Sequence, residues 1–168
     1  IRSELAGARS QLTEARARRA RLEAERDGRA EMTVPADLVA LAAEDPAVAE
    51  QVEGQSRLFA ARAETLSRTG EQLDKRRGQT LALIAGIDAQ TTALNLQEEL
   101  IARELADQQA LLDKGLAQSS RVLALEREAA RLAGDLGNLA GERAQAEGRI
   151  TEVELEMLRL TAARREEA

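Results

Sequence analysis

The chain has 168 residues, a net charge of -6, 32% charged residues and a single aromatic side chain, Phe59. A thick globular core needs aromatic area that is missing here, and the lack of Cys and His excludes disulfides, thiolate metal sites and imidazole catalysis. Ala, Leu, Glu, Arg and Gln dominate, as in long helices and coiled coils. The expected fold class is therefore all-α, an elongated antiparallel coiled-coil hairpin with an additional N-terminal helix.

Residues 1–28 read as the first helix. Ile1, Leu5, Ala8, Leu12, Ala15 and Leu22 give it a weak, alanine-rich seam, and Asp27-Gly28 supplies the stop. Glu14 with Arg18, Arg19 with Glu23 and Arg21 with Glu25 sit four apart, a spacing that solvates a helix face at a few tenths of a kcal/mol per pair. The basic runs Arg16–Arg21 and Lys75–Arg77 have acidic neighbours and no aromatic interleaving, in a chain of acidic pI. They read as solvated faces, and no nucleic-acid partner is expected.

Residues 29–45 break the rod-like pattern. Pro35 falls within this stretch and Pro46 closes it, and each disfavours helix in the residue before it. Asp37 to Glu44 has the spacing of a short helix of about two turns. Its Leu38, Val39 and Leu41 should pack on the rod.

Residues 46–168 read as a long helical hairpin with its tip at 113–120. Asp45 suits the N-cap and Pro46 the first turn of the second helix. Its seam runs Leu66, Leu73, Arg77, Thr80, Ile84, Ile87, Thr91, Leu94, Glu98, Ile101, Leu105, Gln108 and Leu112. A kink is expected between Gly70 and Gly78, where the seam is polar. At about 1.5 Å per residue this helix would span roughly 100 Å and the third roughly 75 Å. The third carries Val122, Leu125, Ala129, Leu132, Leu136, Leu139, Ala146, Ile150, Val153, Met157 and Leu160 in alternating three-four spacing, with Arg143 taking one seam position. Such a seam asks for a helical partner.

Between the seams, Gly115 fits the left-handed position that closes a helix, Leu116 folds back toward Leu111, and Ser119 or Ser120 caps the next helix. Turn chemistry alone leaves open whether the tip is only a turn. On the far side of the third helix, with Val122 as heptad position a, Gly134, Gly141 and Gly148 occupy f and Gly137 occupies b. Four interior glycines cost about 3–4 kcal/mol against alanine. Close approach by another helix, either the first helix or a neighbouring subunit, explains them; so does tolerated flexibility.

The run Leu111-Leu112-Asp113-Lys114-Gly115-Leu116, with Arg121-Val122-Leu123-Ala124-Leu125-Glu126-Arg127-Glu128-Ala129-Ala130 and Leu132-Ala133-Gly134-Asp135-Leu136-Gly137, resembles the helical hairpin of the haemolysin-D-like membrane fusion proteins, the periplasmic adaptors of bacterial type I secretion. Val34-Pro35 through Gln55-Ser56-Arg57-Leu58-Phe59 resembles the protease-exporting branch. The resemblance implies the periplasmic region of an inner-membrane-anchored adaptor, linking an ABC exporter to a TolC-type outer-membrane channel, with several copies in a ring. It also implies channel contact at the tip, through Leu111, Leu112, Lys114, Gly115, Leu116, Gln118, Ser119 and Ser120. Of the family's Arg, Leu, Ser tip pattern, the leucine falls on Leu111, the serine on Gln118 and the arginine on Asp107, with Arg103 one turn earlier.

The competing reading is a generic coiled-coil spacer or tether. Catalysis is not expected: carboxylates such as Glu98-Glu99 and Glu152, Glu154, Glu156 lie on solvated helix faces, without a catalytic, cofactor or metal constellation. No stretch approaches the 18 or so apolar residues of a membrane span. No signal-peptide pattern opens the chain at Ile1, and its limits inside helical pattern suggest a piece of a longer protein.

Overall fold

A computed structural model describes residues 2–166, with the side chains of Arg2, Ser3, Arg165 and Glu166 left undescribed. Four helices follow in order: α1 (Arg2–Arg26), α2 (Ala36–Glu44), α3 (Pro46–Asp113) and α4 (Ser119–Glu166). Among the described residues there is no strand. Two compact units form, one from residues 1–74 with 155–168, the other from 75–154.

In the first unit, α1 ends where its sequence says. Gly28 takes φ +68°, its N–H donates to Glu25 O at 3.3 Å, and the Arg29 N–H donates to Ala24 O at 3.0 Å. This pair of bonds is a Schellman closure, which satisfies the last carbonyls of the helix. Asp45 then serves two helices at once. Its N–H donates to Leu41 O at 2.9 Å, closing α2, while its Oδ1 accepts from the Ala47 N–H at 2.9 Å, capping α3. Pro46 sits in the first turn, where its missing N–H costs nothing.

The partners of α1 fix its direction. Thr13 Oγ1 donates to Gln51 Oε1 at 2.8 Å, Arg21 Nε to Gln55 Oε1 at 2.7 Å and Arg62 Nη1 to Glu25 Oε2 at 3.5 Å. Residue numbers rise together on both helices, so α1 and α3 run parallel. A parallel pair needs a return crossover, and residues 27–35 with α2 provide it. Arg16 Nη1 holds Asp37 Oδ2 at 2.7 Å, pinning the start of α2 beside the middle of α1. Leu38 plugs into Ala17 and Val48, with Val34, Ala42 and Val52 packed around them. A fully buried leucine of this kind contributes about 1.5–3 kcal/mol.

The face that α1 buries differs from the expected seam. Leu5 and Leu12 are 54% and 53% exposed, and the buried set is Thr13, Ala17, Ala20, Arg21, Ala24 and Glu25. Ala8 and Ala15 are also exposed and Leu22 is half-buried, while Ile1 lies outside the described residues. Small side chains at three-four spacing let two backbones approach closely, so here alanine outcompetes leucine for the packed side. The same rotation buries Arg21 and Glu25, which were expected on a solvated face. Arg19 and Glu23 do remain outside, paired at 2.7 Å.

The second unit is an antiparallel hairpin. Arg121 pairs with Glu104, Arg143 Nε with Asp88 Oδ1 at 2.8 Å and Arg77 Nε with Glu154 Oε1 at 3.6 Å. Numbers rise on α4 as they fall on α3. Both seams lie inward as expected: Ile87, Val122, Leu125, Leu132, Leu139, Ala146 and Val153 are buried. On α3, Thr80, Ile84, Thr91, Leu94, Ile101, Leu105, Gln108 and Leu112 are half-buried along the same line. The charged seam positions Arg77, Glu98 and Arg143 stay exposed. α3 is helical without interruption through Gly70–Gly78, and the division between the two compact units falls there, after Asp74.

Candidate functional site: the hairpin tip and the outer face of the fourth helix

At the tip, α3 closes as α1 does. Gly115 adopts φ +72°, its N–H donates to Leu112 O at 2.8 Å, and the Leu116 N–H donates to Leu111 O at 2.9 Å. The Schellman bonds form as the sequence indicated, and Leu116 stays 73% exposed, with Leu111 at 38%. Leu112, at a seam position, is half-buried. The reversal therefore presents two leucine side chains to solvent on a backbone held by its own hydrogen bonds.

The polar members surround them. Lys114, Gln118, Ser119 and Ser120 are all exposed. The helix begins at Ser119, so the serines lie inside its first turn and Gln118 precedes it. The Gln118 carbonyl accepts from the Arg121 N–H at 3.0 Å, which starts the helix one residue ahead of a Ser119 cap. Ser120 Oγ donates to Gln118 Oε1 at 3.5 Å. On α3, Arg103 Nη2 pairs with Glu99 Oε1 at 2.8 Å, and Asp107 is exposed one turn nearer the tip. Leu111, Asp107 and Arg103 follow one another at four-residue spacing on one helix face.

The glycines of α4 face open space. A Cβ added at Gly134, Gly137, Gly141 or Gly148 would meet nothing within 4 Å, so α1 does not supply the close approach considered from sequence. Arg131 beside this strip is held by Glu128 at 2.5 Å and by Asp135 at 3.1 Å. The hydrogen bond from Arg131, reinforced by its charge, holds the Glu128 carboxyl below its ordinary range, and the reciprocal bond raises the Arg131 pKa.

Sequence reasoning missed one cluster, in the first unit. Arg21 Nη1 donates to Glu25 Oε1 at 2.6 Å, and Arg164 Nε donates to the Glu25 carbonyl at 2.8 Å. The small-residue series Thr13, Ala17, Ala20, Ala24 would have pointed to this side of α1. Nothing in the sequence brings Arg164 to it. Among the described residues no group of three or more His, Cys, Asp or Glu is placed to hold a metal ion, and no helix is long and apolar enough to cross a membrane.

Comparison with known proteins gives concordant matches. The family described as "AprE, long alpha-helical hairpin" matches residues 1–168. The type I secretion system membrane fusion protein PrsE of Rhizobium meliloti (strain 1021) is 39% identical over 167 residues, covering 99% of this chain. The chain spans 38% of that relative's length. The crystal structure of the soluble domain of LipC, a membrane fusion protein of a type I secretion system, shares the fold with a TM-score of 0.93 at 22% identity, over 99% of this chain and 78% of that one.

Proposed function

The chain belongs to the AprE long alpha-helical hairpin family, and from that premise we propose that it is the helical hairpin of a periplasmic adaptor of type I secretion, held at the inner membrane. In this reading the tip meets a TolC-type outer-membrane channel, contact with the inner-membrane ABC exporter falls outside these residues, and several copies form a ring. The adaptor works by holding partners at a distance and performs no catalysis. A generic spacer, the other reading, is not favoured, because the relative is itself a secretion protein.

The observation that carries the tip assignment is the exposure of Leu116 and Leu111 on a closed turn. This apolar pair stands in solvent at the sharp reversal between the two long helices, where a docking partner can bury it. Leu111, Leu112 and Leu116 supply apolar contact, Lys114, Gln118, Ser119 and Ser120 orient it, and Gly115 sets the backbone. One tip offers little area, so useful affinity comes from several tips acting together. Secretion and cross-linking to the channel are to be measured for Leu111→Asp, Leu116→Asp and Gln118→Ala, each first shown to fold. Loss with the two aspartates and retention with Gln118→Ala is the expected result. Normal export in all three removes the tip from the mechanism.

Gly134, Gly137, Gly141 and Gly148 are assigned, in the same reading, to contact between subunits. The ion pairs Arg121–Glu104 and Arg143–Asp88 bracket Gly134, Gly137 and Gly141 on α4 and the exposed Leu96 and Leu100 on α3. Leucines on one outer face and glycines on the other thus lie at the same height of the hairpin. A ring whose axis runs along its hairpins preserves height from copy to copy, so the leucines of one copy meet the glycines of the next.

A further inference from the structure

We propose that Glu25 is the centre of a latch that makes α1 separately releasable from the rest of its compact unit. Arg21 and Glu25, 5% and 7% exposed, are buried charged residues in a unit whose other buried side chains are apolar apart from Thr13. Glu25 reaches three helices. Its carboxylate takes Arg21 of α1 at 2.6 Å and Arg62 of α3 at 3.5 Å, and its backbone carbonyl takes Arg164 of α4 at 2.8 Å. Arg21 in turn grips Gln55 of α3 at 2.7 Å. Gly28 lies directly beneath the Arg164 guanidinium, with 3.6 Å left between that group and a Cβ added there.

The remaining grip of α1 is weak in apolar area. Its packed face is Thr13, Ala17, Ala20 and Ala24, with Ala17 against Leu38 of α2, while Leu5 and Leu12 are more than half exposed and Leu22 is half-buried. A helix docked mainly by methyl groups, with Leu5 and Leu12 turned outward, draws a large share of its attachment from polar bonds. Removing one member of a buried ion pair leaves the other charge desolvated and uncompensated. The helix can escape that penalty by leaving its site, while the crossover of residues 27–35 keeps it attached to the chain. Its departure uncovers Leu38 and Val48, which pack with Ala17. The hairpin of residues 75–154 has its own seam and takes no part.

Hydrogen exchange read by mass spectrometry on the whole chain tests this, using Glu25→Gln, which keeps the shape and removes the charge, and Arg164→Ala, which removes only the α4 arm. In Glu25→Gln the amides of residues 12–26 are expected to exchange about a hundredfold faster, with residues 46–74 and 75–154 unchanged. Arg164→Ala is expected to give a smaller rise in the same segment. Unchanged exchange in α1 overturns the proposal, because the latch then carries none of the attachment. Equal loss of protection in α1 and in residues 46–74, or failure of Glu25→Gln to fold at all, also overturns it, because α1 is then inseparable from the unit.

Discussion

Arg143 stands at a seam position of α4, yet its side chain turns outward, where its Nε donates to Asp88 Oδ1 at 2.8 Å on α3. The bond to Asp88, reinforced by the charges of Asp88 and Glu147, raises the Arg143 pKa. An exposed pair of this sort contributes little, because water screens it and two side chains are ordered to make it. The seam loses an apolar layer at that height. Arg143→Leu restores the layer and leaves Asp88 solvated. The partly buried leucine is expected to stabilise the hairpin by about 1 kcal/mol, read as a higher midpoint in urea at unchanged slope.

Leu132 and Leu136 occupy successive seam positions with unequal burial: Leu132 is fully buried, Leu136 half-buried. Leu132→Ala removes contacts on every side and is expected to cost about 3 kcal/mol. Leu136→Ala should cost clearly less, since part of its surface is already in water. Aspartate at Leu136 or Ile150 is expected to be worse than alanine, by forcing a charge against the facing seam. Equal losses for the two alanine variants, measured by denaturant unfolding, would contradict this account of the seam.

Much of this architecture is legible in the sequence alone. The seams, the glycine stops at Gly28 and Gly115, and the Asp45–Pro46 start are local signals, set by three-four spacing and by the chemistry of single residues. The orientation of α1 is not legible in that way. Leu5, Leu12 and Leu22 form a better apolar repeat than Thr13, Ala17, Ala20 and Ala24, and periodicity has no measure of how closely two backbones approach. The parallel course of α1 and α3 is hidden for a related reason, because the crossover is fixed by tertiary contacts such as Arg16–Asp37. At the tip, turn chemistry points to Gly115, the residue that takes the left-handed φ. It has no means of showing that Leu116 remains in solvent.

Acid should weaken both units. Hydrogen bonding from Arg26 foremost, with further bonding and charge from Arg26 and Arg29, holds the Asp27 carboxyl below its ordinary range, and Arg131 does the same for Glu128. A carboxyl whose folded pKa is depressed stabilises the folded state above its unfolded value, about 3.9 for Asp and 4.3 for Glu. That contribution disappears as pH falls through the lower folded value. Melting temperature should therefore hold above about pH 5 and decline below about pH 4. Glu128→Gln should show a shallower decline than the parent chain.

The glycine strip separates stability from assembly. Gly137→Leu with Gly141→Leu meets open space in a single chain and replaces two poor helix formers, so it should raise the stability of the isolated chain by about 1–2 kcal/mol. If a neighbouring subunit packs there, the same variant loses secretion despite being more stable. Greater thermal stability with normal secretion would show the glycines to be merely tolerated.

Gly115 allows the fold of the tip to be separated from its contacts. Its φ of +72° suits glycine, and a Cβ there would touch nothing within 4 Å. Any cost of substitution is therefore backbone strain and not a clash. Asparagine tolerates the left-handed region, whereas a β-branched residue resists it. Gly115→Asn is expected to lose less than about 1 kcal/mol and Gly115→Val about 1–2 kcal/mol, both small against a seam defect such as Leu132→Ala. In Gly115→Val the turn relieves strain by opening, which breaks the Leu116 N–H bond to Leu111 O and moves both leucines. Channel cross-linking should then fall much further than stability does, while Gly115→Asn keeps both. Circular dichroism melting alongside cross-linking yield distinguishes the cases. If Gly115→Val cross-links as well as Gly115→Asn, the left-handed closure is needed for the turn alone and not for presenting Leu111 and Leu116.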